Sequence, residues 1–409
     1  MDYAKRKSGF RIKTSFWKDY YLIPVILTIC TIGIITAGSA IQTRTFNDNQ
    51  SFGEEFIKQI LSGFLLGTIL AYSIYALGIE KILKFKRVLL VLSLITLLYL
   101  ALPSIISLVL KVDIFTSASY FQSFPIRPVI RNQAVRWLSI GPLQFQPVEL
   151  VKLTLLIYLA NYFKDIQNTE FNWQYYKRPL YVFFISALFI LIQPDLGSVV
   201  IITLMLATAL FLLKISVKQS LIILSILALF SGFAIMITPY RRERVLGWLS
   251  NTKIQNIDAD YLQIQRVQEG VARGGLWGVG YTKGTIKSSI PEVSSDAILA
   301  VLGEEFGFFM ILILILLYAF IFYYCIQKSY LVDNYSKKII LIGIGSWIFY
   351  QAMWNIGGVV GLIPLKGLPL PFISEGGTSV AVSLLGVGLI LACLKTEKTS
   401  SRKSFFKQS

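Results

Sequence analysis

The stretch Gln193-Pro194-Asp195-Leu196-Gly197 decides the fold, because it interrupts an apolar run that extends from residue 179 to residue 213. An uninterrupted run of that length predicts one long helix, whereas proline followed by glycine favours a break between two helices. With the break, the apolar segments of the chain predict ten membrane-spanning helices, and without it they predict nine. The distribution of positive charge decides between these two arrangements.

The composition places the chain in a membrane. Of its 409 residues 55% are hydrophobic and 15% charged, and the mean hydropathy is +0.65, which excludes an ordinary soluble globular protein. Segments long enough to cross a bilayer core of about 30 Å recur along the sequence. We predict an all-α polytopic membrane protein with one transmembrane domain, residues 21–394, between tails at 1–20 and 395–409. The predicted spans lie near 21–40, 56–78, 86–110, 146–163, 179–194, 196–213, 217–238, 297–327, 338–362 and 374–394.

Lysine and arginine in the short connections predict the orientation, because these residues are enriched in cytoplasmic loops. With ten helices, both basic tails lie on one side, together with the basic connections at 81–87, 164–178, 214–218 and 328–338. With nine helices, the two tails would lie on opposite sides. The first apolar stretch is too long for a signal-peptide core and lacks a cleavage site, so we expect it to remain as a helix. The charge pattern therefore favours ten spans and cytoplasmic termini.

Arginines also occur on the opposite side, where positive charge is normally scarce. Three substantial connections lie there, at 111–145, 239–296 and 363–373. Guanidinium groups match the geometry of phosphate, so the cluster Tyr240-Arg241-Arg242-Glu243-Arg244 predicts an anion clamp, with a solvated basic helix as the alternative. The arginines in these connections are Arg127, Arg131, Arg136, Arg241, Arg242 and Arg244. We take Arg136, Arg241, Arg242 and Arg244 as candidate substrate-binding residues.

Several kinds of chemistry are excluded by the residues that the chain contains. It has no histidine, which excludes Ser-His-Asp triads and HExxH zinc sites. The three cysteines lie in apolar segments, which argues against disulfides and a metal cluster. The net charge of +17 is spread over many short loops, so it does not indicate nucleic-acid binding. The glycine-rich stretch 273–280 lacks the spacing of a nucleotide-binding loop.

Three charged residues stand next to predicted spans in otherwise apolar sequence. Glu149 and Lys152 open the fourth span, and a spacing of three places both on one helical face. They form either a structural ion pair or part of a polar substrate cavity. Asp195 follows the break at Pro194, where a carboxylate either caps the next helix or faces a wet cavity. All three are candidate substrate-binding residues.

Two further carboxylates flank the start of the eighth span. Asp296 ends the long external connection and is expected in the first turn of the helix, where interaction with the helix dipole is the alternative to a catalytic role. Glu304 follows about two turns later on roughly the same face, while Glu305 is turned away by about 100°. We therefore expect Asp296 and Glu304 to face one region.

Four motifs, in order along nearly the whole chain, resemble the SEDS family, the group of RodA and FtsW. They are VRWLSIGPLQFQPVELVK at 135–152, QPDLG at 193–197, PEVSSD at 291–296 and GLPLPFISEGGT at 367–378. The resemblance implies a ten-helix glycosyltransferase that polymerises lipid II into peptidoglycan glycan strands. It also implies a class B penicillin-binding protein as the cross-linking partner, within a division or elongation complex. Flipping of lipid II across the membrane is a competing assignment for such proteins.

The resemblance also assigns roles to residues. Asp296 corresponds to the essential external aspartate of the family, and Glu149, Lys152 and Asp195 match other polar residues of its cavity. The chain departs from the family pattern at Val148, Ser294-Ser295 and Glu375, where serine, His-Thr and tyrosine are usual, which puts fine substrate positioning in question. The stretches 366–371 and 272–277 are more similar to FtsW, the septal member, than to RodA.

These roles lead to a hypothesis for the chemistry. Asp296 acts as general base on the 4-hydroxyl of the acceptor sugar, which attacks the anomeric carbon of a donor strand bearing undecaprenyl pyrophosphate. External arginines, Lys152 or a divalent cation such as Mg²⁺ are the alternatives for stabilising the leaving group. A flippase and a non-catalytic scaffold that recruits a transpeptidase are the rival classes. We expect the protein in a bacterial plasma membrane, or in the membrane of a plastid that retains peptidoglycan.

Overall fold

The computed structural model describes residues 21–47, 51–131, 134–141, 143–165, 173–212, 225, 232, 258–290, 295, 297–363 and 368–405. We number the helices and strands within these ranges in chain order. The helices are α1 Leu22–Asn47, α2 Phe52–Leu77, α3 Ile79–Lys84, α4 Lys86–Leu110, α5 Ile114–Ser119, α6 Pro147–Asp165, α7 Trp173–Ile192, α8 Leu196–Leu212, α9 Asp258–Gly274, α10 Ile298–Tyr330, α11 Tyr335–Val359 and α12 Gly377–Phe405. The strands are β1 Ile126–Arg131, β2 Ala134–Ile140 and β3 Leu143–Phe145.

The predicted spans agree closely with these helices. Nine of the ten coincide with a helix, and the predicted break is present, because α7 ends at Ile192 and α8 begins at Leu196. Six helices in the described ranges are long and apolar enough to cross a membrane, namely α1, α2, α4, α10, α11 and α12. The predicted span 217–238 lies outside the described residues, apart from residues 225 and 232. The chain is thus a multi-pass membrane protein.

Helix α11 is the centre of the bundle. It packs against α10, α8, α6 and α12, and Trp347, one of its two tryptophans, is fully buried. A membrane helix that is apolar all round and mostly covered by other helices belongs to the interior of a bundle rather than to its lipid-facing surface. Polar groups carried by α11 are therefore removed from both water and lipid.

Helices α2 and α12 approach each other so closely that glycine is required at the contact. A Cβ atom on Gly67 would lie 2.7 Å from the Cα of Ala381, and one on Gly388 would lie 2.6 Å from the Cα of Ala71. Gly388 is one of the glycines, with Gly376, Gly377 and Gly386, for which the sequence predicts close helix approach. Small residues at such contacts let helices pack through van der Waals contact where the hydrophobic effect contributes little.

A three-stranded antiparallel sheet, in the order β1-β2-β3, lies in the connection 111–145 of this otherwise helical protein. Val129 pairs with Trp137 in the first ladder and Leu138 with Phe145 in the second. The sheet packs on the end of α4 through a buried cluster that includes Leu138 and Leu100. The second external connection, 239–296, which is predicted as a loop, contains the helix α9.

At the opposite end of the bundle, Lys337 of α11 and Lys395 of α12 make contacts with α3 and α2. The Lys337 Nζ atom lies 3.5 Å from Glu80 Oε1, and Lys395 Nζ donates to the carbonyl of Tyr75 at 3.3 Å. The connections near 81–87 and 328–338 thus lie close together at one end, while the sheet and the break between α7 and α8 lie at the other.

Candidate functional site

A buried ion pair lies where the first turns of α6 face α11. The Lys152 Nζ atom is 2.7 Å from Glu149 Oε1 and 2.6 Å from Gln351 Oε1, and the side chains of both charged residues are 0% exposed. The spacing of three places them on one helical face, as predicted. Buried charges are tolerated when they are paired and hydrogen-bonded together, and this arrangement meets both conditions.

Gln351 connects this ion pair to the chain segment that precedes α12. Its Oε1 accepts from Lys152 Nζ, and its Nε2 donates to the carbonyl of Pro369 at 2.8 Å. One turn further along α11, the Asn355 Nδ2 donates to the carbonyl of Leu368, also at 2.8 Å. The polar network therefore joins α6, α11 and the GLPLPFISEGGT motif in the interior of the bundle.

The second carboxylate oxygen of Glu149 has no hydrogen-bond partner among the described residues. Buried polar atoms in folded proteins are nearly always paired with protein or with ordered water. Glu305 Oε2 on α10 is likewise without a partner among the described residues. Both oxygens are therefore candidates for pairing with ordered water.

Asp195 caps α8. Its Oδ1 accepts from the backbone N–H of Ser198 at 3.1 Å, and its Oδ2 accepts from the Ser198 hydroxyl at 2.6 Å. This is the geometry of an N-cap, in which a side-chain oxygen satisfies an amide of the first helical turn. The capping alternative for Asp195 is therefore present in the structure, and the side chain is buried.

Arg136 binds the break between α7 and α8 from the sheet. Its Nε donates to the carbonyl of Gln193 at 3.1 Å and its Nη2 to the carbonyl of Pro194 at 2.6 Å. The Gln193 side chain donates in turn to the carbonyl of Leu97 on α4 at 3.0 Å. The carbonyls exposed by the helix break are thus paired by an arginine, which fixes the break beneath the sheet.

Glu304 and Glu305 lie in the first turns of α10, and both are buried. Glu304 Oε2 accepts from the backbone N–H of Ile286 at 2.8 Å, and its Oε1 accepts from the Thr285 hydroxyl at 3.1 Å. Glu305 Oε1 is 2.7 Å from Lys287 Nζ. Glu305, which helical periodicity turns by about 100° from Glu304, is thus bonded to the same loop after α9.

Four of the predicted site residues cannot be placed. Asp296, Arg241, Arg242 and Arg244 lie outside the described residues, although Ala297, the neighbour of Asp296, is fully buried at the start of α10. Of the other candidates, Glu149 and Lys152 form one network. Arg136 and Asp195 both lie at the break between α7 and α8, and Glu304 is hydrogen-bonded to the loop after α9.

Sequence reasoning missed the side chains of α11 that complete the network. Gln351 and Asn355 are spaced by four residues in an apolar helix, which places two amides on one face. Trp347, one turn earlier, donates its Nε1–H to Gln351 Oε1 at 2.7 Å. This periodicity of polar residues was the available signal.

In the described part of the chain, no group of three or more acidic, histidine or cysteine residues is arranged to hold a metal ion.

Comparison with known proteins gives this arrangement a context. The sequence model of the FtsW, RodA and SpoVE proteins, described as "Cell cycle protein", matches residues 20–399, which is nearly the whole chain. The chain belongs to this family. The resemblance carried by the four motifs is thereby confirmed. As an FtsW/RodA/SpoVE protein, it has the family's motifs at the ion pair, at the helix break and before α12.

Curated relatives of this FtsW/RodA/SpoVE protein share one name, "Probable peptidoglycan glycosyltransferase FtsW". The relative from Moranella endobia (strain PCIT) is 34% identical over 265 residues, covering 64% of this chain and 69% of its own length. The relative from Wigglesworthia glossinidia brevipalpis is 28% identical over 411 residues, covering 97% and 99%. The similarity of the second protein thus extends from end to end.

Solved structures share the fold. A chain from the structure described as "Structural coordination of polymerization and crosslinking by a peptidoglycan synthase complex" matches with a TM-score of 0.69 and 25% identity, covering 91% of this chain and 96% of that one. The rod shape determining protein RodA of Thermus thermophilus matches with a TM-score of 0.61 and 22% identity, covering 91% and 94%. The match to RodA shows the fold alone.

Proposed function

We propose that this FtsW/RodA/SpoVE protein is a peptidoglycan glycosyltransferase that polymerises lipid II at the outer face of the membrane. The observation that carries the proposal is the family match over residues 20–399, together with a relative that is similar over 97% of this chain and bears this activity in its name. The buried ion pair and the polar helix break at one end of an apolar bundle agree with it, because charged groups within a membrane bundle mark functional sites.

Asp296 is the proposed general base. It would take the proton of the acceptor 4-hydroxyl while that oxygen forms a bond to the anomeric carbon of the donor, and the bond from this carbon to the pyrophosphate oxygen breaks. The departing lipid pyrophosphate carries away the electron pair, and the configuration at the carbon inverts. General-base assistance contributes typically about 10²–10⁴-fold to rate. Asp296 directly precedes a buried helix start, where a rigid element supports precise placement.

The described contacts narrow the choice of groups that stabilise the pyrophosphate. Lys152 is 0% exposed and bonded to Glu149 and Gln351. It therefore acts on the site through its positive electrostatic potential and by positioning α11, and not by direct contact with the pyrophosphate. Arg136 is engaged by two backbone carbonyls. The clamp of Arg241, Arg242 and Arg244, or a divalent cation such as Mg²⁺, is therefore the proposed partner of the leaving group.

The proposed partner protein is a class B penicillin-binding protein, which would cross-link the strands made here. The similarity to a chain of a peptidoglycan synthase complex supports this proposal. The name FtsW among the relatives supports a role in division more than in elongation. We place the protein in the plasma membrane with both termini in the cytoplasm, because the basic connections gather at one end of the bundle.

A reconstitution experiment tests the proposal. Purified protein is incorporated into liposomes with lipid II and a cognate class B penicillin-binding protein, and the glycan polymer is measured for wild type, Asp296→Ala and Asp296→Asn. Wild type should make polymer, and both variants should lose almost all activity, because neither alanine nor asparagine can accept the proton. The matched control is Asp113→Asn, since Asp113 is an aspartate of an external connection that caps α5.

Two results would overturn the proposal. Equal polymer from wild type and from both Asp296 variants would remove the catalytic base. Translocation of labelled lipid II without any polymer would favour a flippase, for which a charged pair inside the bundle is also expected. The control variant separates these results from a general effect of removing an external carboxylate.

A further inference from the structure

Helix α10 is broken near its start. At Gly307 the backbone has a φ of 79° and a ψ of −176°, which is not helical. Such a break leaves backbone N–H and C=O groups on both sides without their normal helical partners, and buried groups of this kind must be paired. The first part of α10, residues 298–306, is therefore a short helix of its own, joined to Asp296 at its start.

The loop that follows α9 pairs these backbone groups. We call residues 275–290 the anchored loop. Four hydrogen bonds join it to α10 across the break: Val279 N to Glu304 O at 2.9 Å, Gly280 N to Glu305 O at 3.1 Å, Phe308 N to Gly275 O at 2.9 Å and Phe309 N to Leu276 O at 3.3 Å. The backbones touch at Gly278, where a Cβ atom would lie 2.6 Å from Phe306 N and φ is +82°. The loop thus substitutes for the missing helical turn.

Side chains hold the other half of the anchored loop. Lys287 Nζ lies 2.7 Å from both Glu305 Oε1 and the Ser39 hydroxyl of α1, and it donates to the carbonyl of Thr282 at 2.9 Å. The hydroxyl of Ser39 also donates to Glu305 Oε1 at 2.7 Å. The Lys287 and Glu305 side chains are 5% and 0% exposed, so they do not reach a substrate. These two side chains can therefore affect a substrate only by holding the anchored loop against α10 and α1.

We infer that the anchored loop and residues 298–306 form one rigid unit that positions Asp296, with the Lys287–Glu305 ion pair as its positioning element. The segment 291–296 connects two buried residues: Ile290, the last residue of the anchored loop, and Ala297, the N-cap of α10. A catalytic group is effective only when it is held within a fraction of an ångström of its productive place. This inference rests on the proposed function of Asp296.

The test uses a variant that removes both charges at once. Lys287→Met alone would leave a buried carboxylate unpaired and could unfold the protein, whereas Lys287→Met with Glu305→Leu replaces the pair by apolar side chains, a change that is often neutral for stability. We expect the double variant to keep the melting temperature and the KM for lipid II of wild type. Its kcat for polymerisation should fall about 10- to 100-fold. Amide hydrogen exchange in peptides of the anchored loop should become faster.

The matched control is Glu80→Gln, which removes the ion pair with Lys337 at the opposite end of the bundle. It should leave both kcat and the exchange of the anchored loop unchanged. A double variant with the kcat of wild type, or with unchanged exchange in residues 275–290, would overturn the inference. If wild type makes no polymer, the proposed function fails instead, and hydrogen exchange alone then decides whether the pair holds the loop.

Discussion

Lys152 and Gln351 are 199 positions apart in the sequence, yet the Nζ of one lies 2.6 Å from the Oε1 of the other in the interior of the bundle. This hydrogen bond joins α6 to α11, and the Gln351 side chain also donates to the carbonyl of Pro369 in the segment before α12. Because the amide oxygen also accepts from Trp347, turning it away would remove this acceptor from both donors and leave Lys152 with Glu149 alone. The ion pair and helix α11 are therefore held together by shared hydrogen bonds.

Replacing Lys152 by methionine should destabilise the protein, because the Glu149 carboxylate would remain buried without its partner. Breaking a buried ion pair in this way costs about 3–5 kcal/mol. The double change Lys152→Met with Glu149→Gln removes the uncompensated charge and should recover most of the loss. Thermal unfolding in detergent measures both effects.

The control for this pair is Lys283→Met, at an exposed lysine of the anchored loop, which should unfold like wild type. If Lys152→Met melted at the wild-type temperature, the buried pair would be contributing nothing to stability. Failure of the second change to restore the melting temperature would instead indicate that Lys152 stabilises the bundle through contacts other than the charge pair.

Removal of the Arg136 side chain should loosen the break between α7 and α8. The guanidinium donates to the carbonyls of Gln193 and Pro194, and hydrogen bonds from charged groups contribute about 1.5–3 kcal/mol each. We expect Arg136→Ala to lower the melting temperature and to reduce polymerisation. Arg136→Lys should restore little, because an ammonium does not reproduce the planar fork. Arg127→Ala, at an exposed arginine of β1, should be neutral in both measurements.

Substitutions at Asp195 separate capping from charge. Asparagine is also a good N-cap, so Asp195→Asn should keep the wild-type melting temperature, while Asp195→Ala should lose about 1 kcal/mol. Since Ser198 occupies both carboxylate oxygens, we expect Asp195→Asn to keep most of the polymerisation activity. A folded Asp195→Asn protein without activity would show that the negative charge itself acts on the substrate.

A methyl group at Gly67 should force α2 and α12 apart. The Cβ of Gly67→Ala would lie 2.7 Å from the Cα of Ala381, which is backbone and cannot rotate away. Overpacking of this kind costs typically about 1–3 kcal/mol. Gly53→Ala is the matched control in the same helix, because its new Cβ would meet the Ser51 hydroxyl at 3.9 Å and nothing closer. A lower melting temperature for Gly67→Ala than for Gly53→Ala would confirm the contact, and equal values would contradict it.

Helix positions could be predicted from the sequence because each span depends on a local property, its apolar length. The start of α8 at Leu196 was predictable for the same reason, since Pro194 acts on its immediate neighbours. The sheet was missed although Val135 and Trp137 favour strands, because charged residues and short length conceal the alternation. Its register depends on pairing between separate strands, which the reading of single segments does not test.

In the candidate site too, local features could be predicted from the sequence and long-range contacts could not. Glu149 and Lys152 could be paired from their spacing in one helix, but their third partner, Gln351, comes from a distant helix and required the folded structure. In the sequence, Lys287 is indistinguishable from the other basic residues of the external connections. Its burial against Glu305 results from the docking of a whole loop, which hydropathy and spacing cannot reveal.

The break in α10 has a consequence for how the protein is made. The groups that complete this helix at Gly307 belong to residues 275–280, which leave the ribosome first and have no partner until α10 follows them. Docking of the loop therefore cannot be completed before α10 has been synthesised. A nascent chain that ends before residue 303 should leave this stretch open to protease, and a chain extended through α10 should protect it.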